Sequence, residues 1–598
     1  MKECEFWQKK QKLDLLMGQE NGFARAYSIC QELWEQLCAS SWSQEGKWQE
    51  LKIELAQIFA SIIIETGAME HVPTALARLS MAGQYPYSVF LQARIFWLQG
   101  RYFDALVLLE EYFQIDHAGS RAVFAKDSNY WQVNEDVQER ILNLLARCYK
   151  FYGMTDLAAD CYLRSSNVVK HFPSKVLEYS NYLFNAHYLF MPKDEYFLAH
   201  TGFDKLFKGI KQYKHKSFVH KRHRKIRLGY ISPDFRQHVV LLFIWAMLTQ
   251  YDREQFEVYC FSYSRVEDRY SHYIKSQVTV WFNICDLNFA QAAKLIYEQE
   301  IDILVELAGH SQNNCLPVLA YKPAPVQACG IGYFATTGLK AVDYFLTDKY
   351  LVQENTGTLE VHADEVRLQD SSYFVEKLLV MPHSHFCYKP LEDMPEPMSA
   401  PCRRNGYVTF GSFNNLSKVN DTVLSAWAEI LRRVPDSRLF LKGNLLSDRE
   451  GRELIRQKLL SLGLDESRFE LRGFSNAYLT EYYEMDVALD TFPYPGGGTT
   501  CDALYMGVPV ISLGDGSHGG NFGISLLKNA GLDFCCAHSF EEYVEKAVLL
   551  AGDFELLDAL HLGLRNMMKA SPVMDERLYM HELESGYRKI WDKYLFRW

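Results

Sequence analysis

Three clusters in this 598-residue chain combine reactive residue types with a strand-to-loop setting, the place where wound α/β sheets bind ligands. The first is Ser232-Pro233-Asp234-Phe235-Arg236-Gln237-His238. Its His238 titrates near neutrality, so it can take a proton from a hydroxyl or hold a substrate. The second is Gly309-His310-Ser311-Gln312-Asn313-Asn314, followed by Lys322 to Gln327 and Gly332 to Gly338. Its directional donors and acceptors suit a hydroxyl-rich ligand, and they can equally be turn chemistry. The third joins Phe413-Asn414-Asn415-Leu416-Ser417-Lys418 to Pro493-Tyr494-Pro495-Gly496-Gly497-Gly498-Thr499-Thr500-Cys501-Asp502. A glycine-rich turn entering a helix exposes backbone N–H groups and the positive end of the helix dipole, both of which favour a phosphate, and Lys418 would add a point charge. A plain loop-to-helix cap is the other reading.

Two kinds of element must position these clusters. Up to about Lys170 apolar residues recur every three to four positions, the mark of stacked amphipathic helices. Leu142, Leu145, Ala146, Tyr149, Gly153, Ala158, Tyr162 and Ser165 have the spacing of a tetratricopeptide unit, in which small residues let two antiparallel helices touch. Ala93, Phe96, Gly100, Tyr102, Ala105, Leu109 and Tyr112 repeat it in register. An irregular helical bundle is the alternative. After Lys225 short apolar runs alternate with helical stretches. Ile226–Ile231, Phe256–Phe261 and Ile301–Val305 read as buried parallel strands, and a second series begins near Tyr407. Pro382, Pro390, Pro395, Pro397 and Pro401 break the pattern between the two series.

The composition, 48% hydrophobic and 23% charged, is that of a chain folded throughout, and the length implies several domains. A net charge of −11 argues against nucleic acid as partner. The cluster His220-Lys221-Arg222-His223-Arg224-Lys225 can bind an anion locally or be a solvated segment. No run approaches a membrane span and the start lacks an apolar signal core, so a cytoplasmic location is expected. Fourteen scattered cysteines without C-x-x-C pairs read as reduced thiols, with no metal site.

The region from about Leu177 to Leu550 resembles the SPINDLY-like proteins and eukaryotic O-linked N-acetylglucosamine transferases. The segments that carry the resemblance are Tyr179 to Tyr182, Gly229 to Phe235, Lys322 to Gln327, Val342-Asp343-Tyr344, Gly411 to Asn415 and Leu504 to Pro509. The resemblance implies a metal-independent, inverting enzyme of two Rossmann-like domains (the GT-B fold) behind TPR-like repeats. It would move a sugar from a nucleotide diphosphate to Ser or Thr of proteins. Lys418 then resembles the lysine on the diphosphate and Asn415 a neighbouring nucleotide contact. Tyr478 stands where the transferases place a base-stacking His. Gly498, Thr499, Thr500 and Asp502 resemble the phosphate and ribose loop, and His238 and His310 line the cleft as catalytic candidates. The loop Gly496-Gly497-Gly498-Thr499-Thr500 departs from both the His-Thr-Thr form and the four-threonine run of the family, and Tyr333-Phe334 replaces Tyr-Pro.

These readings divide the chain into TPR-like repeats (1–172), a helical connector (173–224), a first Rossmann-like domain (225–380), a linker (381–402) and a second, nucleotide-sugar-binding domain (403–598). The expected function is protein O-glycosyl transfer from UDP-N-acetylglucosamine, with GDP-fucose as the other donor. The repeats would bind the acceptor protein, and repeat surfaces can also form homo-oligomers. The rivals are a catalytically silent repeat scaffold and a GT-B epimerase or small-glycan transferase, neither of which needs both the site residues and the repeats.

Overall fold

The computed structural model describes residues 2–19, 22–39, 46–215, 225–352 and 365–596. The basic run His220–Arg224 therefore lies outside the described residues. The chain forms two compact units, Met1–Glu178 and Tyr179–Trp598.

The first unit stacks helices α1 (Lys2–Met17), α2 (Phe23–Ala39), α3 (Gly46–Thr66), α4 (Val72–Ala82), α5 (Pro86–Leu98), α6 (Tyr102–Phe113), α7 (Glu135–Phe151) and α8 (Thr155–Val168). Pairs α5–α6 and α7–α8 are the two units expected from spacing. Pair α3–α4 is a third in the same register. Ala60, Ala93 and Ala146 are each fully buried, and the turn after each first helix carries a glycine at positive φ, Gly67 (68°), Gly100 (74°) and Gly153 (74°). Ala75, Leu79 and Ala82 of α4 are buried like Ala105 and Leu109 of α6. An extra turn at Met69–His71 shifts α4 along the sequence, which is why spacing alone hid this pair. The half is not wholly helical either: β1 (Ile115–Ala118) and β2 (Arg121–Phe124) form a hairpin between α6 and α7. Phe124 of that hairpin stacks on Tyr130 with ring centres 3.9 Å apart.

The second unit holds two sheets. The first runs β5 (Val280–Asn283), β4 (Phe256–Ser262), β3 (Ile226–Ser232), β6 (Ile303–Glu306), β7 (Val326–Cys329), β8 (Tyr344–Asp348), β10 (Lys377–Met381) and β9 (Arg367–Gln369), parallel except for β9. The second is all parallel in the order β13 (Phe469–Arg472), β12 (Arg438–Lys442), β11 (Thr409–Ser412), β14 (Val487–Leu489), β15 (Val510–Leu513) and β16 (Cys536–Ala537). Both sheets wind outward from a central strand, β3 or β11, and reverse beside it. Each therefore has a switch point where the loops after two adjacent strands splay apart and leave a crevice. Strands β10 and β9, the latter at the sheet edge, complete the first sheet within the first domain. The crossing to the second domain starts only at Pro382.

The end of the chain departs from the expected 403–598 domain. Helix Glu576–Leu595 packs on the first sheet. The Tyr230 and Tyr587 hydroxyls meet at 3.3 Å, the Asp252 backbone N–H donates to Glu584 at 2.7 Å, and Lys589 Nζ donates to the Val366 carbonyl at 2.7 Å. No helix among the described residues is long and apolar enough to cross a membrane.

Candidate active site

The switch point of the second sheet lies between β11 and β14, and the third sequence cluster grows from both strands. Asp490, directly after β14, is 1% exposed. Its Oδ1 accepts from Gly496 N (2.6 Å), Thr491 N (2.9 Å) and Asn414 Nδ2 (3.1 Å), and its Oδ2 from Ser512 Oγ (2.8 Å). Burial pushes its carboxyl upward, opposed by these hydrogen bonds and by Lys418. Asn414 Oδ1 in turn accepts from Thr499 Oγ1 at 2.7 Å. This chain of bonds ties the glycine-rich loop to the strand ends. A Cβ at Gly496 would meet Thr500 Oγ1 at 2.5 Å and Asn414 Oδ1 at 2.8 Å, so the turn admits no side chain.

The loop leads into helix Gly498–Tyr505, whose first-turn N–H groups, at Gly498, Thr499 and Thr500, have no acceptor inside the helix. Lys418 Nζ donates to the Pro495 carbonyl at 2.7 Å and lies 3.7 Å from the centre of the Tyr494 ring. An ammonium and a helix N-terminus thus converge, as a diphosphate requires. Asn415 is exposed, and its side chain caps the turn by accepting from Ser417 N at 3.0 Å. The buried Asn414, which bonds Asp490 and Thr499, is the one wired into the loop.

Farther along the helix, Asp502 Oδ1 accepts from Tyr388 Oη (2.7 Å) and Oδ2 from Tyr478 Oη (3.0 Å). Burial pushes this carboxyl up and the two phenols pull it down. Tyr478 therefore meets Asp502 at the same helix. Tyr388, in the crossing segment, was not singled out by sequence because a lone Tyr among prolines carries no spacing signal.

From the first domain, the loop after β3 brings His238 with its side chain 37% exposed. The Val240 backbone N–H donates to its Nδ1 at 3.3 Å, and Asp234 Oδ1 lies 3.3 Å from the same nitrogen. Burial lowers the imidazole below its usual range while Asp234 pulls it back up. The next residue, Val239, sits against the donor loop: a Cβ on Gly498 would lie 2.7 Å from Val239 Cγ2. The base candidate and the phosphate-type loop thus belong to one cleft between the sheets.

His310 requires a correction. It is 1% exposed, its Nε2 donates to the Thr337 carbonyl (2.9 Å), and its Nδ1 accepts from Ser180 Oγ (3.0 Å). Burial holds it neutral, well below the usual range. With both nitrogens occupied it positions the connector and does not act as a catalytic base. The same cluster folds onto Glu306, which accepts from Gly309 N (2.6 Å), Ala308 N (3.1 Å) and Cys315 N (3.1 Å) and is pushed up to about 7 by burial. The turn reading explains most of that cluster.

Beside Tyr494 opens a cavity of about 680 Å³, lined among others by His187, Tyr196, Phe334, Tyr494, Asp515 and His518. One wall comes from the connector. The loop 515–520 is fixed by His518, whose Nδ1 donates to the Phe334 carbonyl (2.8 Å) while Nε2 accepts from Thr347 Oγ1 (2.9 Å), and by Lys193 Nζ, which donates to the Gly516 carbonyl (2.9 Å). His187 and His518 were not among the sequence candidates.

Two doubly wound sheets with a phosphate-type helix N-terminus facing a His loop across one cleft define the GT-B class of glycosyltransferases. The chain belongs to glycosyl transferase family 41, whose model matches residues 203–394 and 402–583. It is 38% identical over 382 residues to a protein of Petunia hybrida named as a probable UDP-N-acetylglucosamine–peptide N-acetylglucosaminyltransferase SPINDLY, covering 62% of this chain and 39% of the relative. It is 29% identical over 382 residues to the protein SEC of Arabidopsis thaliana, named as another such probable transferase, covering 62% and 37%. The chain thus matches about two fifths of the length of these curated relatives. A lysine-to-methionine variant of the O-GlcNAc transferase of Thermobaculum terrenum superposes with a TM-score of 0.77 at 25% identity, over 92% of this chain and 99% of that one. That coverage extends the likeness to the helical half.

Proposed function

We propose that this chain transfers a sugar from a nucleotide diphosphate to Ser or Thr hydroxyls of protein acceptors, with UDP-N-acetylglucosamine as donor and inversion at the anomeric carbon. The observation that carries the reading is the approach of Val239, next to His238, to Gly498 at the head of the donor helix. It supports a base and a leaving-group site acting on one anomeric carbon. The diphosphate lies against Lys418 and the N–H groups of Gly498–Thr500, which take up the negative charge as the bond from carbon to phosphate oxygen breaks, without calling on a metal. The acceptor hydroxyl forms the new bond from the opposite face and gives its proton to the neutral His238 imidazole. Asp234 then faces the imidazolium that results. The cavity beside Tyr494 receives the sugar and the acceptor side chain, with Asp515 and His187 as hydroxyl partners. The names of the relatives support this donor, and the fourteen free cysteines fit a cytoplasmic setting.

The test is transfer to, and hydrolysis without, a protein acceptor from UDP- and GDP-sugars in chelator. UDP-N-acetylglucosamine turnover lost in Lys418→Ala supports the proposal. Turnover of GDP-fucose alone moves the donor, and binding of neither returns the chain to a scaffold role.

A further inference from the structure

The face shared by the first helices of the repeats carries two arginines that have no ion-pair partner among the described residues. Arg94 on α5 and Arg147 on α7 hold equivalent positions, each directly after the buried alanine of its repeat, Ala93 or Ala146. Both side chains are half-buried. The Arg147 guanidinium lies 5.2 Å from the centre of the Trp97 ring, which packs against Tyr102 (4.6 Å) and Phe151 (6.3 Å). Among the described residues neither guanidinium makes an ion pair or a side-chain hydrogen bond. Burial pulls Arg94 down from its usual range, Arg147 pulls it further, and Glu65 at the end of α3 acts against both. Arg140, about two turns back on α7, is exposed. A half-buried guanidinium without an ion-pair partner costs free energy that a bound anion would recover. In a chain of net charge −11 such a patch is a local inversion of sign.

We propose that Arg94 and Arg147, with Trp97 beside Arg147, form a docking site for an extended acidic segment of a partner polypeptide. A carboxylate would bridge the two guanidiniums and the backbone beside it would lie on the Trp97 ring. Planar guanidiniums take carboxylates two bonds at a time, which favours Asp or Glu over a single point contact. The site is independent of the sugar chemistry and lies wholly within the first unit.

The experiment measures fluorescence anisotropy of the full chain with a labelled peptide of alternating Asp and Gly, lacking Ser and Thr, against its Asn counterpart. The acidic peptide is expected to bind about tenfold tighter or more, in a salt-dependent way. Arg94→Gln and Arg147→Gln each remove most of that difference and the double variant all of it, whereas Lys418→Ala leaves it unchanged. Far-ultraviolet circular dichroism and the thermal midpoint check folding. The single variants are expected to melt no lower than the native chain, because each relieves like-charge repulsion, and they decide the outcome if the double variant does not fold. Equal affinity for the two peptides, or native affinity in the folded Gln variants, overturns the proposal. Loss of peptide binding in Lys418→Ala as well would put the peptide in the catalytic cleft and overturn it too.

Discussion

His238 and Lys418 answer two different demands of glycosyl transfer, and each can be removed separately. Lys418→Ala takes away a charge that matters most as the diphosphate departs, so kcat should fall about 10²- to 10³-fold, the usual cost of one preorganised donor. Asn415→Ala removes only a turn cap, costs about 1 kcal/mol of local stability, and should leave kcat within a few-fold of native. Steady-state kinetics of the two variants side by side tests whether the lysine or the turn matters. The pH dependence follows from the sign of the His238 shift. The base works as the neutral imidazole, and burial lowers its pKa below the usual 6.5. The acid limb of kcat/KM should therefore lie below 6.5, with the rate flat through neutrality. Asp234 raises that pKa, so Asp234→Asn should move the limb to still lower pH and cut kcat about tenfold or more. A limb that stays in place in Asp234→Asn would leave the proton to another group.

The elements explain why some of this was legible in the sequence and some was not. Strands β3, β4, β11, β12 and β14 are short apolar runs ending in Gly, Ser, Asn or Asp, and periodicity finds them within a residue or two. Strand β9 is three residues long and carries no apolar run of its own, so its place at the sheet edge is set by pairing with β10 in the fold, which outweighs local propensity. The donor loop was visible as Gly496-Gly497-Gly498 before a helix, but its anchor, Asp490, was not. A single acid after a strand says nothing about its four hydrogen bonds until the loop folds back. The burial of His310 was invisible for the same reason: its partners, Ser180 and Thr337, come from distant segments. The anchoring predicts the effect of Gly496→Ala. Its methyl would press on Thr500 Oγ1 and Asn414 Oδ1, so the loop must shift and misalign the helix N-terminus. Donor affinity measured by calorimetry should fall at least about tenfold, with only a modest drop in melting temperature. Unchanged affinity would mean that the loop is not where the diphosphate binds.

Over the whole molecule the chain crosses twice between the α/β domains, once through the segment after β10 and once back through helix Glu576–Leu595. The nucleotide side of the cleft is built almost entirely from the second domain, whereas His238 and the sheet that carries it depend on this returning helix. Tyr587 is fully buried and reaches the Tyr230 hydroxyl in β3, the strand that ends at the His238 loop. Tyr587→Ala should cost about 3–5 kcal/mol, the range for deleting a buried aromatic ring. The loss should fall on the first domain. Limited proteolysis is expected to cut there first, nucleotide binding to Lys418 and the donor loop should persist, and transfer should fall with the fraction of first domain folded. Calorimetry would resolve the weakened domain as an early transition. A single transition near the native midpoint, with transfer intact, would show that the helix is an appendage rather than part of the first domain's core.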